Sequence, residues 1–443
     1  MGGGASGTLT ALNVLRTTRQ HVAVTVFEPR GRLGCGIAYS TTDRRHLLNV
    51  PAGNMSAFPE APGDLVCWAE ATGRAVGADG FLPRADYAHY LRQRLEQISG
   101  HRPGCLTTVG EAVIDLLPVG PRFLVRTSST EGEYDVVVLA HGNAAPSRLA
   151  VGDRPLPAAP WHVPDPWDLS WVGGLGPEAT VVLVGTGLTA VDTAITILDD
   201  APRRRVVMVS RHGLLPRAHP SPPATSTEWV TPVPAGTLTA DGLAALVRRE
   251  IRAAASRQVD WRAVVDGLRG STASIWARLD QSERRRFLDR YAREWEVRRH
   301  RMAPEVAARL DGYRAEGRLE VVGGGLTAIR PDIDDRDRVD VELAGRRIVA
   351  DAVVNCTGPL LDLDRTDNPL LTTLRRRGLL APDPLHLGLS CTPAGVVLDA
   401  DGCEVPGLLT VGPPRKGVLF ETTAIPEIRV QAAEVAALVL ASR

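Results

Sequence analysis

Residues 179–198 read ATVVLVGTGLTAVDTAITIL, and this stretch decides the fold. An apolar strand leads into the loop GTGLTA at 185–190, and a helix-like segment follows the loop. In the pattern G-x-G-x-x-G/A, the first glycine allows a tight turn, the second lets the backbone approach a pyrophosphate, and the third small residue allows close packing. The N-terminus of the helix then faces the phosphate charge. The stretch predicts a strand–loop–helix unit that binds a dinucleotide.

A second loop of this kind opens the chain, where residues 2–7 read GGGASG. A helix-like stretch follows it, and the strand VAVTVFE then ends at Glu28, where a carboxylate can accept hydrogen bonds from a ribose. The pattern needs a strand before its first glycine, so we expect roughly eight to ten residues ahead of Met1, lost through a start codon assigned too late.

In both units the same number of residues separates the first glycine of the loop from the residue expected to contact the ribose. Glu28 lies 26 residues after Gly2, and Arg211 lies 26 residues after Gly185. A guanidinium suits a 2′-phosphate, which it can bind bidentately with Ser210 beside it. The second loop is therefore predicted to prefer NADP over NAD, the alternative being that Arg211 is an ordinary surface arginine.

A short internal sequence repeat supports two nucleotide-binding units. DVVVLAHGN at 135–143 resembles DAVVNCTGP at 351–359, and both are apolar strands that end in a glycine turn, at Gly142 and Gly358. The predicted fold class is α/β, with two Rossmann-like dinucleotide-binding domains, the second inserted in the first. The first domain comprises residues 1–150 and 357–443, and the second comprises residues 151–356, including a helical segment at 235–316.

Composition narrows the function classes. The 443 residues carry 51 basic and 51 acidic side chains, so no general field of positive charge favours nucleic acid or a membrane surface. No apolar run is long enough to cross a bilayer. The six scattered cysteines form no C-x-x-C pair, which argues against a metal site and favours reduced thiols in the cytoplasm.

Beyond the loops, the chain resembles a bacterial FAD/NAD(P)-binding flavoprotein family related to class B flavin-dependent monooxygenases. The resemblance covers nearly the whole chain and is carried by GGGASGTLTALN, HLLNVPAGNMSAFP, FLPRADYAHYL, VLVGTGLTAVD, SRHGLLPRAH, HRMAP, VVNCTGP and FETTAIPEIRVQA. It implies that the first loop binds FAD and the second binds NADPH.

The resemblance also implies which residues contact each cofactor. The resemblance places residues 46–56 along the flavin. The alternative is that these residues form an ordinary surface loop. The residues implied for FAD are Gly2, Gly4, Ser6, Gly7, Glu28, Asn49, Pro51, Met55, Gly142, Gly358, Gly412, Thr422, Thr423 and Ala424. Those implied for NADPH are Gly185, Thr186, Gly187, Leu188, Thr189, Ser210 and Arg211.

Flavin and NADPH together imply hydride transfer, for which the protein supplies orientation and exclusion of water. A disulfide acceptor would need paired cysteines, so molecular oxygen is the expected acceptor. One branch of the family hydroxylates the nitrogen of a small amino acid, and we expect a monooxygenase acting on a small polar substrate of that kind. The alternatives are an NADPH-dependent reductase or dehydrogenase without oxygenation, and a non-catalytic nucleotide-binding flavoprotein. The sequence nominates no general acid or base.

The helical segment is rich in arginine and is the expected source of substrate contacts. Arg301, with Arg217 and His219 before the segment, is a candidate for binding a substrate carboxylate or the NADPH phosphates. The alternative is a solvated helix face. Phe287, Tyr291 and Trp295 follow an i, i+4, i+8 stripe that favours core packing over a substrate box. Ser282 is the expected N-cap of the helix that carries this stripe, and Gly317 is its expected C-cap.

Overall fold

The structure is a computed structural model that describes residues 1–18, 21–152, 154–221, 229–331, 337–343 and 345–442. Its strands are β1 (Val24–Phe27), β2 (Leu106–Val109), β3 (Asp115–Val119), β4 (Arg122–Arg126), β5 (Glu131–Tyr134), β6 (Val137–Leu139), β7 (Ala150–Val151), β8 (Arg154–Pro155), β9 (His162–Val163), β10 (Thr180–Val184), β11 (Arg205–Ser210), β12 (Leu319–Gly323), β13 (Leu326–Pro331), β14 (Val339–Leu343), β15 (Arg346–Ala350), β16 (Ala352–Asn355), β17 (Val396–Leu398) and β18 (Glu404–Thr410). Its helices are α1 (Ala5–Thr17), α2 (Asp64–Ala71), α3 (Arg84–Gly100), α4 (Leu188–Asp200), α5 (Ala240–Ser256), α6 (Trp261–Gly267), α7 (Thr272–Arg278), α8 (Gln281–Arg290), α9 (Ala292–Arg299), α10 (Pro304–Ala315), α11 (Pro369–Arg376), α12 (Lys416–Leu419) and α13 (Ile425–Ala441).

The second glycine loop belongs to a five-stranded parallel sheet in the order β12-β11-β10-β16-β9. Parallel strands covered on both faces read as continuous apolar runs, and Val181, Val182 and Leu183 of β10 are fully buried. Helix α4 packs against β10 and β11, as the strand–loop–helix pattern predicts. The antiparallel strands β13, β14 and β15 form a separate sheet before the chain returns through β16.

The first glycine loop lies between two smaller sheets. Strand β1 pairs in parallel with β2, and β6 pairs in parallel with β18. Met1 and Gly2 lie between them: the Val138 carbonyl accepts from the Met1 amino group at 2.9 Å, and the Phe27 carbonyl accepts from the Gly2 amide at 2.9 Å. Helix α1 then packs on α13, which brings the two ends of the described chain together. The expectation of a strand ahead of Met1 stays a prediction.

Helices α5 to α10 form the helical segment between β11 and β12. The helix expected between Ser282 and Gly317 is divided into α8, α9 and α10, with breaks at Tyr291 and at residues 300–303. Asp280, not Ser282, caps α8, because the Asp280 carboxylate accepts from the Glu283 amide at 2.9 Å while Ser282 lies inside the helix. Gly317 adopts φ +70° just after α10, which confirms it as the terminating glycine.

Buried polar contacts join the two nucleotide-binding units. The Arg84 guanidinium of α3 pairs with the Asp192 carboxylate of α4 at 3.0 Å, and both side chains are only 7% exposed. His46 contacts the Thr196 hydroxyl of the same helix at 2.8 Å. Within the described residues, no helix has the length and apolar character needed to cross a membrane.

Candidate nucleotide-binding site

Close backbone approach explains the glycines of the first loop. A Cβ on Gly2, which has φ +96°, would lie 2.3 Å from the Ala140 carbonyl oxygen, and a Cβ on Gly7 would lie 1.9 Å from the Gly2 oxygen. A Cβ on Gly4 would lie 3.1 Å from Gly36. Gly4 caps α1 without any side-chain acceptor, so the first amides of this helix are available to an anion.

A groove of about 380 Å³ runs along this loop. Two buried polar atoms beside it, His141 Nε2 and Asn143 Oδ1, have no hydrogen-bond partner within the part of the chain that the structure describes. Burial lowers the pKa of His141 to about 4, so its ring is neutral at physiological pH. Of the residues predicted from sequence, the groove is lined by Gly2, Gly4, Ser6, Glu28, Gly142 and Thr423.

Glu28 holds the loop as well as facing the groove. One of its carboxylate oxygens accepts from the Gly3 amide at 2.9 Å, and the other accepts from the Arg30 amide at 3.1 Å. Each carboxylate oxygen keeps a further lone pair. The sequence pattern anticipated a ribose acceptor here but not the bond to Gly3.

Residues from the far end of the chain complete this groove. A Cβ on Gly412 would lie 2.4 Å from the Ser6 hydroxyl oxygen, so these two predicted residues are in contact. The Thr422 hydroxyl, fully buried, donates to the Gly412 carbonyl at 2.8 Å. Ala424 is the N-cap of α13 and offers no side-chain acceptor to the amides that follow it.

The segment at 46–56 lies deeper in the protein. Met55 is 2% exposed and belongs to the core of the first unit, and Pro51 precedes a short 3₁₀ turn. His219 Nε2 donates to the Asn49 carbonyl at 3.0 Å, so a residue predicted for the substrate contacts one predicted for the flavin. Burial, aided by the positive charge of Arg301, lowers the pKa of His219 to about 4.

The second glycine loop has the backbone geometry that its sequence predicts. Gly185 has φ +131°, and a Cβ there would lie 2.1 Å from the Cys356 carbonyl oxygen. Gly187 caps α4, whose first turn contains Leu188 and Thr189, without a side-chain acceptor. Thr186 and Ser210 share a hydrogen bond of 2.9 Å between their hydroxyl groups. Gly358 follows β16 at the carboxyl edge of this second sheet and is not among the residues lining the groove at the first loop.

Arg293 contacts this loop from the helical segment, and the sequence patterns did not single it out. From α9 it donates to the Thr186 hydroxyl at 3.0 Å and to the Leu214 carbonyl at 2.6 Å. Burial lowers its pKa, and so does the positive charge of Arg211, which is exposed at the end of β11. Two guanidinium groups therefore flank Ser210. In a segment with so many arginines, no local pattern distinguishes Arg293 from its neighbours.

The remaining substrate candidates, Arg217 and Arg301, lie near His219. Arg301 is 4% exposed; one of its terminal nitrogens donates to Asp266, while its buried Nε has no hydrogen-bond partner among the described residues. The Arg217 side chain is exposed, and its backbone exchanges hydrogen bonds with Val297 and Met302. These contacts join the chain after β11 to the helical segment.

A buried ion-pair network, also missed by sequence reasoning, ties the helical segment to the start of α13. Arg299 pairs with Glu421 at 3.3 Å and with Glu427 at 3.1 Å, and Arg269 pairs with Glu427 at 2.5 Å. The Trp295 indole donates to Glu421 at 2.9 Å. Burial raises the pKa of Glu421, but the charges of Arg299, His300 and Arg269 and the hydrogen bond from Trp295 together outweigh burial, so the pKa is lowered overall. The network fixes the chain just before Thr422 and Thr423.

Comparison with known proteins agrees with this architecture. Residues 1–144 match a family model described as FAD-NAD(P)-binding. No curated protein sequence matches the chain.

Solved structures share the fold over its whole length. L-lysine 6-monooxygenase from Pseudomonas syringae superposes with a TM-score of 0.66 at 16% identity, covering 100% of this chain and 98% of that one. Ornithine N-hydroxylase from Kutzneria sp. 744 gives 0.59 at 14% identity, covering 99% and 97%. Thioredoxin reductase from Lactococcus lactis gives 0.52 at 10% identity, covering 100% and 96%. The chain has the fold of the flavoproteins built from two dinucleotide-binding domains, and its first third matches the FAD-NAD(P)-binding family model.

Proposed function

We propose that the chain is an FAD-containing, NADPH-dependent monooxygenase that hydroxylates the nitrogen of a small amine, with molecular oxygen as the co-substrate. The observation that carries the proposal is the pair of glycine loops. Each opens a helix whose N-terminus has no side-chain acceptor, one beside an open groove and the other beside two arginines. Residues 1–150 with 357–443 form the proposed FAD unit, and residues 151–356 form the proposed NADPH unit.

The residues of the first groove fit FAD. The glycine cradle admits a pyrophosphate to the N-terminus of α1, and Glu28 has lone pairs left for a ribose. His141 and Asn143 supply buried polar atoms whose partners a ligand would provide. When bound, FAD accepts hydride from NADPH and reacts with oxygen. The chain's own contribution is to bind, orient and shield the reacting groups.

The second loop fits the phosphates of NADPH. The helix N-terminus at Gly187 suits the pyrophosphate, while the Arg211 guanidinium, with Ser210 and Arg293 beside it, offers donors for a 2′-phosphate. The joined units keep these two sites in one orientation through Arg84 and Asp192.

Oxygen is the acceptor that the chain's chemistry favours. All six cysteines are free thiols, and Cys35 is the only one that lines the first groove. A dithiol–disulfide acceptor site would need two. The free thiols also support a reducing compartment such as the cytoplasm. The shared fold of lysine and ornithine hydroxylases points to nitrogen as the atom that is hydroxylated.

The test uses the protein loaded with FAD. NADPH should bleach the visible flavin absorbance without air, and air should restore it. With a panel of amines in air, we expect hydroxylamine product in step with NADPH consumption for at least one amine. Bleaching followed only by peroxide release with every amine would instead favour a reductase, and no bleaching would contradict the NADPH assignment.

A further inference from the structure

An apolar cavity of about 180 Å³ opens within the helical segment, apart from the two glycine loops. Leu243 and Val247 of α5, Ile275 of α7 and Phe287 of α8 line it, and Phe420 closes one side. The aromatic stripe expected to pack in the core therefore faces this space in part: Phe287, Tyr291 and Trp295 are all half-buried. A concave apolar surface with a few polar groups at its edge is the usual form of a small-molecule site.

The tryptophans of the cavity present only apolar faces to it. The Trp276 indole donates to the Gly417 carbonyl at 2.8 Å, and the Trp295 indole donates to Glu421 at 2.9 Å. The Trp276 ring also stacks on Phe420, with 4.6 Å between ring centroids. Because both indole donors are satisfied, a ligand in the cavity needs no hydrogen bond from these rings.

The rim of the cavity carries unbalanced positive charge. Arg298 is partly neutralised by Glu294, whose carboxylate lies 3.4 Å away. Arg248 lies 5.7 Å from the centroid of the Tyr291 ring, and no ion pair between described residues involves it. A ligand with an apolar body and one anionic group complements this arrangement.

The cavity also adjoins the first groove along the chain. Phe420, at φ +59°, immediately precedes Glu421, Thr422 and Thr423, and Thr423 lines the groove. A left-handed conformation is costly for a bulky residue, and here the Trp276 stack and the Lys416 carbonyl hold it. One short turn of chain therefore forms a wall of both spaces.

We propose that this cavity binds the apolar part of the substrate, and that the substrate is an amphipathic carboxylate with an alkyl chain or ring, its anionic group held by Arg248. The assignment to the substrate rests on the proposed function, whereas binding at the cavity does not. The proposal changes the class of amine from small and polar to one with an apolar side chain.

Calorimetry with straight-chain fatty acids tests the site directly. We expect hexanoate and octanoate to bind saturably to the FAD-loaded protein, each added methylene tightening binding about fourfold until the cavity is full. 1-Octanol, which lacks the charge, should bind more weakly than octanoate. Absence of saturable octanoate binding, or affinity that does not change with chain length, would overturn the site.

Two variant pairs locate the binding. Ala244 lines the cavity and its neighbour Ala245 is exposed, so Ala244→Phe should weaken octanoate binding about tenfold or more while Ala245→Phe leaves it unchanged. Arg248→Gln should weaken octanoate but not 1-octanol, and Arg249→Gln, whose arginine pairs with Glu250, is its control. Equal effects within either pair would contradict the placement of octanoate in the cavity. The chain-length series uses wild-type protein and so does not depend on any variant folding.

The assignment to the substrate has a separate readout. In wild-type protein, 2-aminooctanoate should be hydroxylated with a higher kcat/KM than aspartate, and octanoate should inhibit that reaction competitively. Better turnover of aspartate would refute the substrate class even if octanoate binds. If NADPH does not bleach the flavin even without an amine, the proposed function is refuted instead. The binding site for octanoate is then judged by the calorimetry alone.

Discussion

At the scale of single residues, the nicotinamide cofactor preference depends on a side chain that makes few contacts of its own. Arg211 is exposed at the end of β11, and Ser210 beside it is held by Thr186. A guanidinium at a strand end that adjoins a glycine loop is suited to a 2′-phosphate. Arg293 stiffens the same corner through Thr186 and Leu214.

We predict that Arg211→Gln raises the apparent KM for NADPH about ten- to a hundredfold and leaves that for NADH nearly unchanged, because a charge-assisted contact to the phosphate is lost. Stopped-flow bleaching of the flavin measures both. Arg205→Gln, at the exposed start of the same strand, is the matched control. Equal losses for the two cofactors would show that Arg211 does not read the phosphate.

At the scale of elements, sequence patterns predicted the strands and helices beside the glycine loops and the helical character of residues 235–316, but misplaced one helix start and missed the breaks within the last predicted helix. The loops succeed because only glycine permits the close approaches at Gly2 and Gly185. The start of α8 was misplaced because aspartate and serine are both good N-caps. Only the structure shows that the Asp280 carboxylate, and not the Ser282 hydroxyl, accepts from the Glu283 amide. The aromatic stripe was periodic as predicted, but periodicity cannot tell a packed core from a cavity wall.

The N-cap of α8 gives a prediction at this scale. Asp280→Ala should lower the free energy of unfolding of the helical segment by about 1 kcal/mol, whereas Ser282→Ala should cost only a few tenths. Denaturant unfolding followed by tryptophan fluorescence measures the difference, since Trp276 and Trp295 lie in this segment. A larger loss for Ser282→Ala would reverse the capping assignment.

At the scale of the whole molecule, the two glycine loops and the repeated strand–glycine segments predicted the two-unit organisation. They did not predict the contacts between the two units. Arg84 and Asp192 lie 108 positions apart in sequence, and nothing local pairs them. The same holds for Arg299 with Glu421, and for the cavity, whose walls come from five helices and the turn at Phe420. Long-range contacts of this kind follow from the packing of elements.

We predict that Asp192→Asn destabilises the protein by about 3–5 kcal/mol, because it leaves the Arg84 charge buried and unpaired. Glu178→Gln breaks the exposed pair with Arg203 and should cost less than about 1 kcal/mol. Denaturant midpoints measure both variants. Similar shifts would mean that the joint between the units carries little of the stability.

The near-absence of lysine has a practical consequence. Lys416 is the only lysine in the chain, its side chain is 17% exposed, and its ammonium lies 5.6 Å from the centroid of the Phe420 ring. Reagents that acylate side-chain amines therefore have a single target, one helical turn before Phe420, which closes one side of the cavity. We expect a fluorophore attached there to report on the occupancy of the cavity, through its contact with Phe420, without any engineered residue.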